Sequence, residues 1–214
     1  MPQPLFVPRG PAYRDSADKR GLESRNGYIQ AEFVVFEAKQ WSLESRLTPD
    51  LICELQRLAV NQIYRCAGCF RNGPVSISGV AHVPPDHALV PREVDAMCGY
   101  VHTNWDRPAI HLASYLMWRM NWIHPFFGGN GRTARAVSYL ILCARLGFVL
   151  PGTSTIPELI VKDRTPYYQA LLKADEAQAA GTIDVSDMED LMGRLLAAQL
   201  VSIHEMATGK PAGE

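Results

Sequence analysis

Between two charged ends the chain reads His124-Pro125-Phe126-Phe127-Gly128-Gly129-Asn130-Gly131-Arg132-Thr133-Ala134-Arg135. The run brings together a proton acceptor, a glycine-rich turn, a small amide and two guanidinium groups. These are the parts needed to hold a polyphosphate and to take a proton from a group beside it. Gly128, Gly129 and Gly131 remove side chains, so backbone amides can approach a ligand closely. Arg132 and Arg135 fall three apart in the first turns of a helix, so both project to one side. Cations there oppose the helix dipole unless an anion sits between them. Free amides, the dipole and two guanidinium forks together favour phosphate. The competing use is structural: both arginines reach carboxylates elsewhere in the fold, which leaves the glycines and His124 without a task.

Helices must position these groups. From Arg107 to Ile123 apolar residues recur at Ile110, Ala113, Leu116, Met117, Met120 and Ile123, which is helical spacing. His124 precedes a proline and is therefore expected to leave the helical region, at the exit of that helix, on backbone held by packing. Phe126 and Phe127 are expected to plug the loop into the core. From Asn130 the chain reads as helix again through Ala134, Val137, Leu140, Ile141 and Ala144. Its middle is apolar almost all round, as in a helix at the centre of a bundle. Thr48-Pro49-Asp50 reads as a cap with proline at the first helical position, ahead of Leu51, Ile52, Leu55, Ala59 and Ile63. Val90-Pro91 and Thr165-Pro166 open further helices, the first with Val94, Met97, Cys98 and Val101 inward. Ser186 with Glu189 predicts a capping box before the last helix, Leu191 to about His204. Met1 to Arg25 show no periodicity, so residues 1–27 are expected to form an arm, 28–207 one helical domain and 208–214 a tail. No internal repeat or linker divides the core.

The segment resembles the signature of Fic-domain proteins, His-x-Phe-x-(Asp/Glu)-Gly-Asn-Gly-Arg-x-x-Arg, matching at His124, Phe126, Gly129, Asn130, Gly131, Arg132 and Arg135. The resemblance extends over roughly Leu51 to Leu200. It implies an all-α bundle, the Fic fold, with a small β-hairpin flap at Pro74-Val75-Ser76-Ile77-Ser78-Gly79-Val80-Ala81-His82-Val83-Pro84. Thr165 to Leu171 resembles a later helix of that family. It further implies transfer of AMP, or another phosphate-containing group, from a nucleotide such as ATP to a Ser, Thr or Tyr hydroxyl of a target protein. On that basis His124 would be the general base. Asn130 and the amides of Gly129 and Gly131 would hold the α-phosphate, and Arg132 and Arg135 the distal phosphates. Ile77, Ser78, Gly79 and Val80 would align the target's backbone as an added strand.

One position departs from that signature. The acidic residue that holds Mg2+ in the family falls at position 128, which is glycine here. Mg2+ is held by hard oxygen ligands, commonly one or two carboxylates with phosphates, so the motif ligand for Mg2+ or Mn2+ is absent. A carboxylate restored at 128 is expected to project toward the bridging phosphate oxygens. Asp86, Asp163 and Asp175 are the candidates for a substitute. Two functions fit: an adenylyltransferase-like enzyme impaired at this position, or a Fic-fold nucleotide-binding module with weak or no catalysis. Many Fic proteins carry an inhibitory helix with the pattern Ser/Thr-x-x-x-Glu-(Gly/Asn). The N-terminal region and the final helix hold no clean match, which leaves two expectations: a toxin-like arrangement with a separate antitoxin-like inhibitor, or, for a chain weakened at Gly128, no inhibitor at all.

Composition agrees with a soluble cytoplasmic protein. Of 214 residues 47% are hydrophobic, enough for a sizeable core, and the formal charge of −1 argues against nucleic acid as main partner. No apolar run reaches membrane-spanning length, and no secretory signal is visible. Five cysteines without a framework point to a reducing compartment. Cys66-Ala67-Gly68-Cys69 has no second pair, so ordinary thiols are expected. His82, His87, His102, His111 and His204 lack metal-ligand pairing and read as surface or satisfied core. Trp118 and Trp122, four apart, read as helix packing. Tyr167 and Tyr168 read as core, with a position beside a nucleotide base as the alternative.

Overall fold

A computed structural model describes residues 15–41, 45–77, 79–80, 82–152 and 154–208. Its helices are α1 (Ser16–Gln40), α2 (Pro49–Val60), α3 (Val90–Thr103), α4 (Ala109–Ile123), α5 (Asn130–Leu146), α6 (Ile156–Lys162), α7 (Thr165–Ala179) and α8 (Ser186–Thr208). The antiparallel pair α4 and α5 forms the centre, joined by the loop that carries the glycines. α1, α2 and α6 pack on α5, while α3, α7 and α8 pack on α4. The central position of α5 follows from its composition: Ala134, Ala136, Val137, Leu140, Ile141 and Cys143 are all buried, and its buried Ser138 hydroxyl donates to the Ala113 carbonyl of α4. Gly147, at φ +80, ends the helix and accepts the left-handed conformation without a Cβ penalty.

Several boundaries were legible in the residues. Thr48 caps α2, its hydroxyl accepting from the Leu51 amide, with Pro49 at the first position. α3 buries Val94, Met97, Cys98 and Val101. Other features differ from expectation. α1 starts at Ser16, inside the stretch expected to be an arm, and is capped by the Asp15 carboxylate, which accepts from the amides of Ala17 and Asp18. Its buried stripe is Asn26, Gln30, Val34 and Ala38, spaced by four, and half of that stripe is polar. Asn26 Nδ2 donates to the Asn61 carbonyl (2.7 Å) and Gln30 Nε2 to the Leu55 carbonyl (2.8 Å), so amides help dock this helix on α2 and its C-terminal cap. The capping box expected at Ser186 is not formed. Glu189 instead accepts from His111 Nδ1 (2.6 Å), whose Nε2 faces the Tyr100 hydroxyl (2.8 Å), a chain that ties α8 to α4 and α3. A capping box does occur at Thr155 with Glu158, ahead of α6.

Among the described residues there is no strand. The segment expected as a hairpin flap turns at Gly79 (φ +75), with the Val80 amide donating to the Ile77 carbonyl (3.4 Å), and its described residues form no ladder beyond it. Ser78 and Ala81 lie outside the described residues. An isolated two-stranded ribbon is marginal in water, and Pro74, Pro84 and Pro85 supply no amide donors. The roots of the segment are held differently, by the buried side chain of Arg71. It donates to the carbonyls of Gly73 (3.3 Å), Pro85, Ile123 (3.3 Å) and His124 (2.8 Å), while its own amide donates to the Pro125 carbonyl (2.8 Å). His82 adds a bond from Nε2 to the Trp122 carbonyl (2.8 Å). Arg71 was not singled out in the sequence, because an isolated arginine reads as surface. Among the described residues no helix is long and apolar enough to cross a membrane.

Candidate phosphate-binding site

His124 closes α4. Its amide donates to the Met120 carbonyl (3.0 Å), and its backbone leaves the right-handed helical region, as expected before proline, for the left-handed one at φ 49° and ψ 59°. A non-glycine residue in that region stores strain of order 1–3 kcal/mol. The carbonyl contact from Arg71 and the cap bond hold it in place. The ring Nδ1 is buried without a partner of normal hydrogen-bond geometry. Burial pushes the imidazole pKa down to about 4; the Asn121 backbone opposes that shift, while the positive fields of Arg71 and His82 add to it. At neutral pH the ring is therefore neutral and able to accept a proton.

The loop from Pro125 to Gly129 is pinned at several points. Phe126 is fully buried and packs on Phe70 at 5.5 Å between ring centroids. Asn130, also buried, spends both ends of its amide on Phe126: Oδ1 accepts from the Phe126 amide (3.0 Å) and Nδ2 donates to the Phe126 carbonyl (2.8 Å). Its side chain thus shapes the loop, and only its backbone amide faces outward with those of Gly131 and Arg132. These open α5 with no side-chain cap, whereas the Thr133 amide already donates to the Gly129 carbonyl. Gly129 sits at φ +80, and a Cβ there would lie 2.6 Å from Val60 Cγ1, so glycine is required twice over. Buried Gln56 stitches the loop to the turn after α2, Nε2 donating to the Gly128 carbonyl (3.0 Å) and Oε1 accepting from the Gly68 amide (2.6 Å).

The two arginines differ. Arg132 donates to the Ala59 carbonyl (3.0 Å) and to the Glu23 carboxylate of α1 (3.4 Å), so the structural use weighed for it holds in part. Glu23 was missed because it lies in the stretch read as an arm. Arg135 has no hydrogen bond or ion pair among the described residues. Burial holds its pKa below the ordinary arginine range; the phenol of Tyr167 opposes this, and the neighbouring cations Arg164 and Arg132 add to it. A half-buried guanidinium beside two others is an anion site by elementary electrostatics. Arg132 and Arg135 line a cavity of about 500 Å3 between α1, α5 and α6, whose other walls include Gln30, Val34, Tyr139 and Glu158. His124 opens on a separate hollow of about 90 Å3 with Ile77, Val80, His82, Trp122, Tyr168 and Asp175. Tyr167 is core, its hydroxyl accepting from Asn121 Nδ2 (2.7 Å), while exposed Tyr168 borders the hollow.

The residues present do not fit a magnesium ion at the motif position. Gly128 offers no carboxylate, and a Cβ built on it would lie 2.6 Å from Cε2 and Cζ of Tyr64, whose ring fills that volume. A carboxylate restored at 128 would meet the far end of the Tyr64 side chain, which has to move aside before the carboxylate could point toward a phosphate. Asp86 and Asp163 cap local turns and Asp175 accepts from Trp118 Nε1. Among the described residues no group of three or more His, Cys, Asp or Glu is arranged to hold a cation.

An all-helical protein whose central helix opens on an uncapped, glycine-rich turn beside a helix-exit histidine is the class that these elements define. More narrowly, the chain belongs to the Fic/DOC family: residues 46–142 match that family's model. It is 31% identical over 162 residues to the protein adenylyltransferase Fic of Drosophila persimilis, covering 73% of this chain and 28% of that protein. With the protein adenylyltransferase Fic of Nematostella vectensis it shares 31% identity over 161 residues, 72% of this chain and 33% of that protein. The chain thus spans about a third or less of the length of these relatives. In fold it is similar to a Fic domain containing signaling protein from Bacteroides thetaiotaomicron, with a TM-score of 0.72 and 21% identity over 92% of this chain and 76% of that one. It is likewise similar to residues 134–508 of Fic-1 from C. elegans, with a TM-score of 0.67 and 22% identity over 92% of this chain and 54% of that one.

Proposed function

We propose that this protein transfers AMP from ATP to a hydroxyl side chain of a target protein. The observation that carries the reading is Arg135: a half-buried guanidinium lining a cavity, with no carboxylate partner among the described residues, one turn into a helix whose first amides are uncapped. The names of its relatives supply the choice of AMP and of a protein acceptor. In this reading the α-phosphate lies on the amides of Gly129, Asn130 and Gly131. The distal phosphates lie against Arg135 and against Arg132, which exchanges Glu23 for them. The target hydroxyl oxygen attacks the α-phosphorus, the bond from that phosphorus to the bridging oxygen breaks, and pyrophosphate leaves. His124 Nε2 takes the hydroxyl proton. Ile77, Ser78, Gly79 and Val80 guide the target segment over the hollow that His124 shares with Ile77 and Val80. No step is assigned to Mg2+ or Mn2+. A reducing, cytoplasmic setting fits the free thiols, and a separate antitoxin-like inhibitor is the partner that would supply control beyond Glu23.

The second reading, a nucleotide-binding module with little catalysis, is favoured by Gly128 alone. Labelling by radioactive ATP, set beside calorimetric ATP binding, separates the two. His124→Ala is expected to abolish label transfer, since general-base catalysis is worth about 10²–10⁴ in rate, and to leave ATP affinity nearly unchanged. Unchanged labelling removes His124 from the mechanism. Binding without any transfer by the unaltered chain selects the module.

A further inference from the structure

We infer that the phenolic hydroxyl of Tyr64 is a phosphate-binding group of this site, standing in the space where the family's acidic side chain would project. The inference rests on the reading that the loop binds a nucleotide's phosphates.

The geometry is specific about which end of the side chain is at the loop. The position of a Cβ on Gly128 lies 2.6 Å from Cζ and 2.9 Å from Oη of Tyr64, so the hydroxyl end, and not the root of the ring, covers the Gly128 backbone. Tyr64 is held there from behind. It sits in the turn after α2, its amide donating to the Val60 carbonyl (3.2 Å) and its carbonyl accepting from the Ala67 amide (3.3 Å), and its ring packs on Ala59, Val60 and Ile63. Gln56 then locks the turn and the loop together through Gly68 and the Gly128 carbonyl. The half-buried hydroxyl has no hydrogen-bond partner among the described residues. It is thus an unspent donor, on a backbone held in its turn, at the rim of a loop whose following amides are also unspent. A phenol O–H is a neutral donor to an anionic oxygen, and hydrogen bonds to charged groups are the stronger kind.

Gly128 and Tyr64 are therefore one sterically coupled unit. A Cβ at 128 and the ring in its present position exclude each other, and the ring supplies a phosphate contact from the space a carboxylate would need. The site binds ATP without requiring a divalent ion, and a carboxylate placed at 128 displaces Tyr64 before it can reach anything else.

Calorimetric titration of the intact chain with ATP and with adenosine, each with and without Mg2+, tests this across four proteins. The unaltered chain is expected to bind ATP with an affinity that Mg2+ changes by less than about twofold. Tyr64→Phe, which keeps the ring, is expected to weaken ATP by about tenfold while leaving adenosine binding and the thermal midpoint unchanged. Gly128→Asp alone is expected to weaken ATP, whereas Gly128→Asp with Tyr64→Ala regains binding that now depends on Mg2+. An ATP affinity in Tyr64→Phe equal to the unaltered chain's overturns the phosphate role of the hydroxyl. A Mg2+-dependent gain in Gly128→Asp alone overturns the steric coupling. If the unaltered chain does not bind ATP at all, it is the proposed function that falls.

Discussion

His124 shows how a single side chain takes its chemistry from its surroundings. A histidine in water would be partly charged near neutrality; burial beside Arg71 and His82 makes this one a neutral base with a pKa near 4. Its folded-state value lies below the unfolded one, so the neutral ring's contribution to stability is complete above about pH 6.5 and is lost as pH falls toward 4. An NMR titration of the ring should accordingly show its inflection well under pH 6, and an inflection at 6.5 would mean a solvated imidazole. The arginines make a second case. Both address one anion, so their losses should not add, but they should be unequal. Arg132 already has Glu23 and the Ala59 carbonyl to return to, whereas Arg135 has neither. Calorimetry should find that Arg135→Ala weakens ATP more than Arg132→Ala, with both losses shrinking for AMP. Equal losses for AMP and ATP would give the arginines a structural role instead.

At the level of elements, the parts legible in the sequence were those whose faces are apolar or whose caps are local. α2, α3, α4 and α5 follow from the periodicity of their buried residues and from Thr48-Pro49 and Val90-Pro91. α1 was hidden because Asn26 and Gln30 do part of the docking that a reader seeks in leucines. The pairing of Glu189 with His111 was hidden because a tertiary partner 78 residues away outcompeted the local cap. Tyr64 was hidden because nothing in the motif says what fills the space over a glycine. Arg71 is the case with most consequence, since it fastens the end of α4, the start of the glycine loop and both roots of the flap segment with one buried guanidinium. Burial holds its pKa below the ordinary arginine range, with Asp86 working against the shift, so its retention there depends on those carbonyls. Arg71→Met leaves a side chain of similar length and several carbonyls without donors. Each such group costs about 1–3 kcal/mol, and urea unfolding should show a loss of at least about 3 kcal/mol. A loss under about 1 kcal/mol would show that water satisfies the carbonyls and that the flap is anchored elsewhere.

Across the whole molecule the site is assembled from parts far apart in the chain. α1 brings Glu23 and one wall of the arginine-lined cavity, α2 and the turn after it bring Gln56 and Tyr64, α4 and α5 bring the loop, and α6 closes the cavity with Glu158. All of these pack on one another through α5. A ligand that bridges Arg132 and Arg135 therefore draws on contacts that exist only when α1, α2 and α5 are all in place, and its binding energy belongs to the folded domain as a whole. At a concentration of about a hundred times its Kd, such a ligand stabilises the fold by about 2.7 kcal/mol. For a chain of this size that shifts the unfolding midpoint by roughly 5–10 °C. A single cooperative transition, raised by ATP to that extent in the unaltered chain and in His124→Ala, is the expected calorimetric result. In Arg135→Ala the same ATP concentration should leave the midpoint nearly still. Two separate transitions, with α1 melting first and the ATP shift surviving the loss of Arg135, would place the ligand outside the cavity that α1 and α5 share.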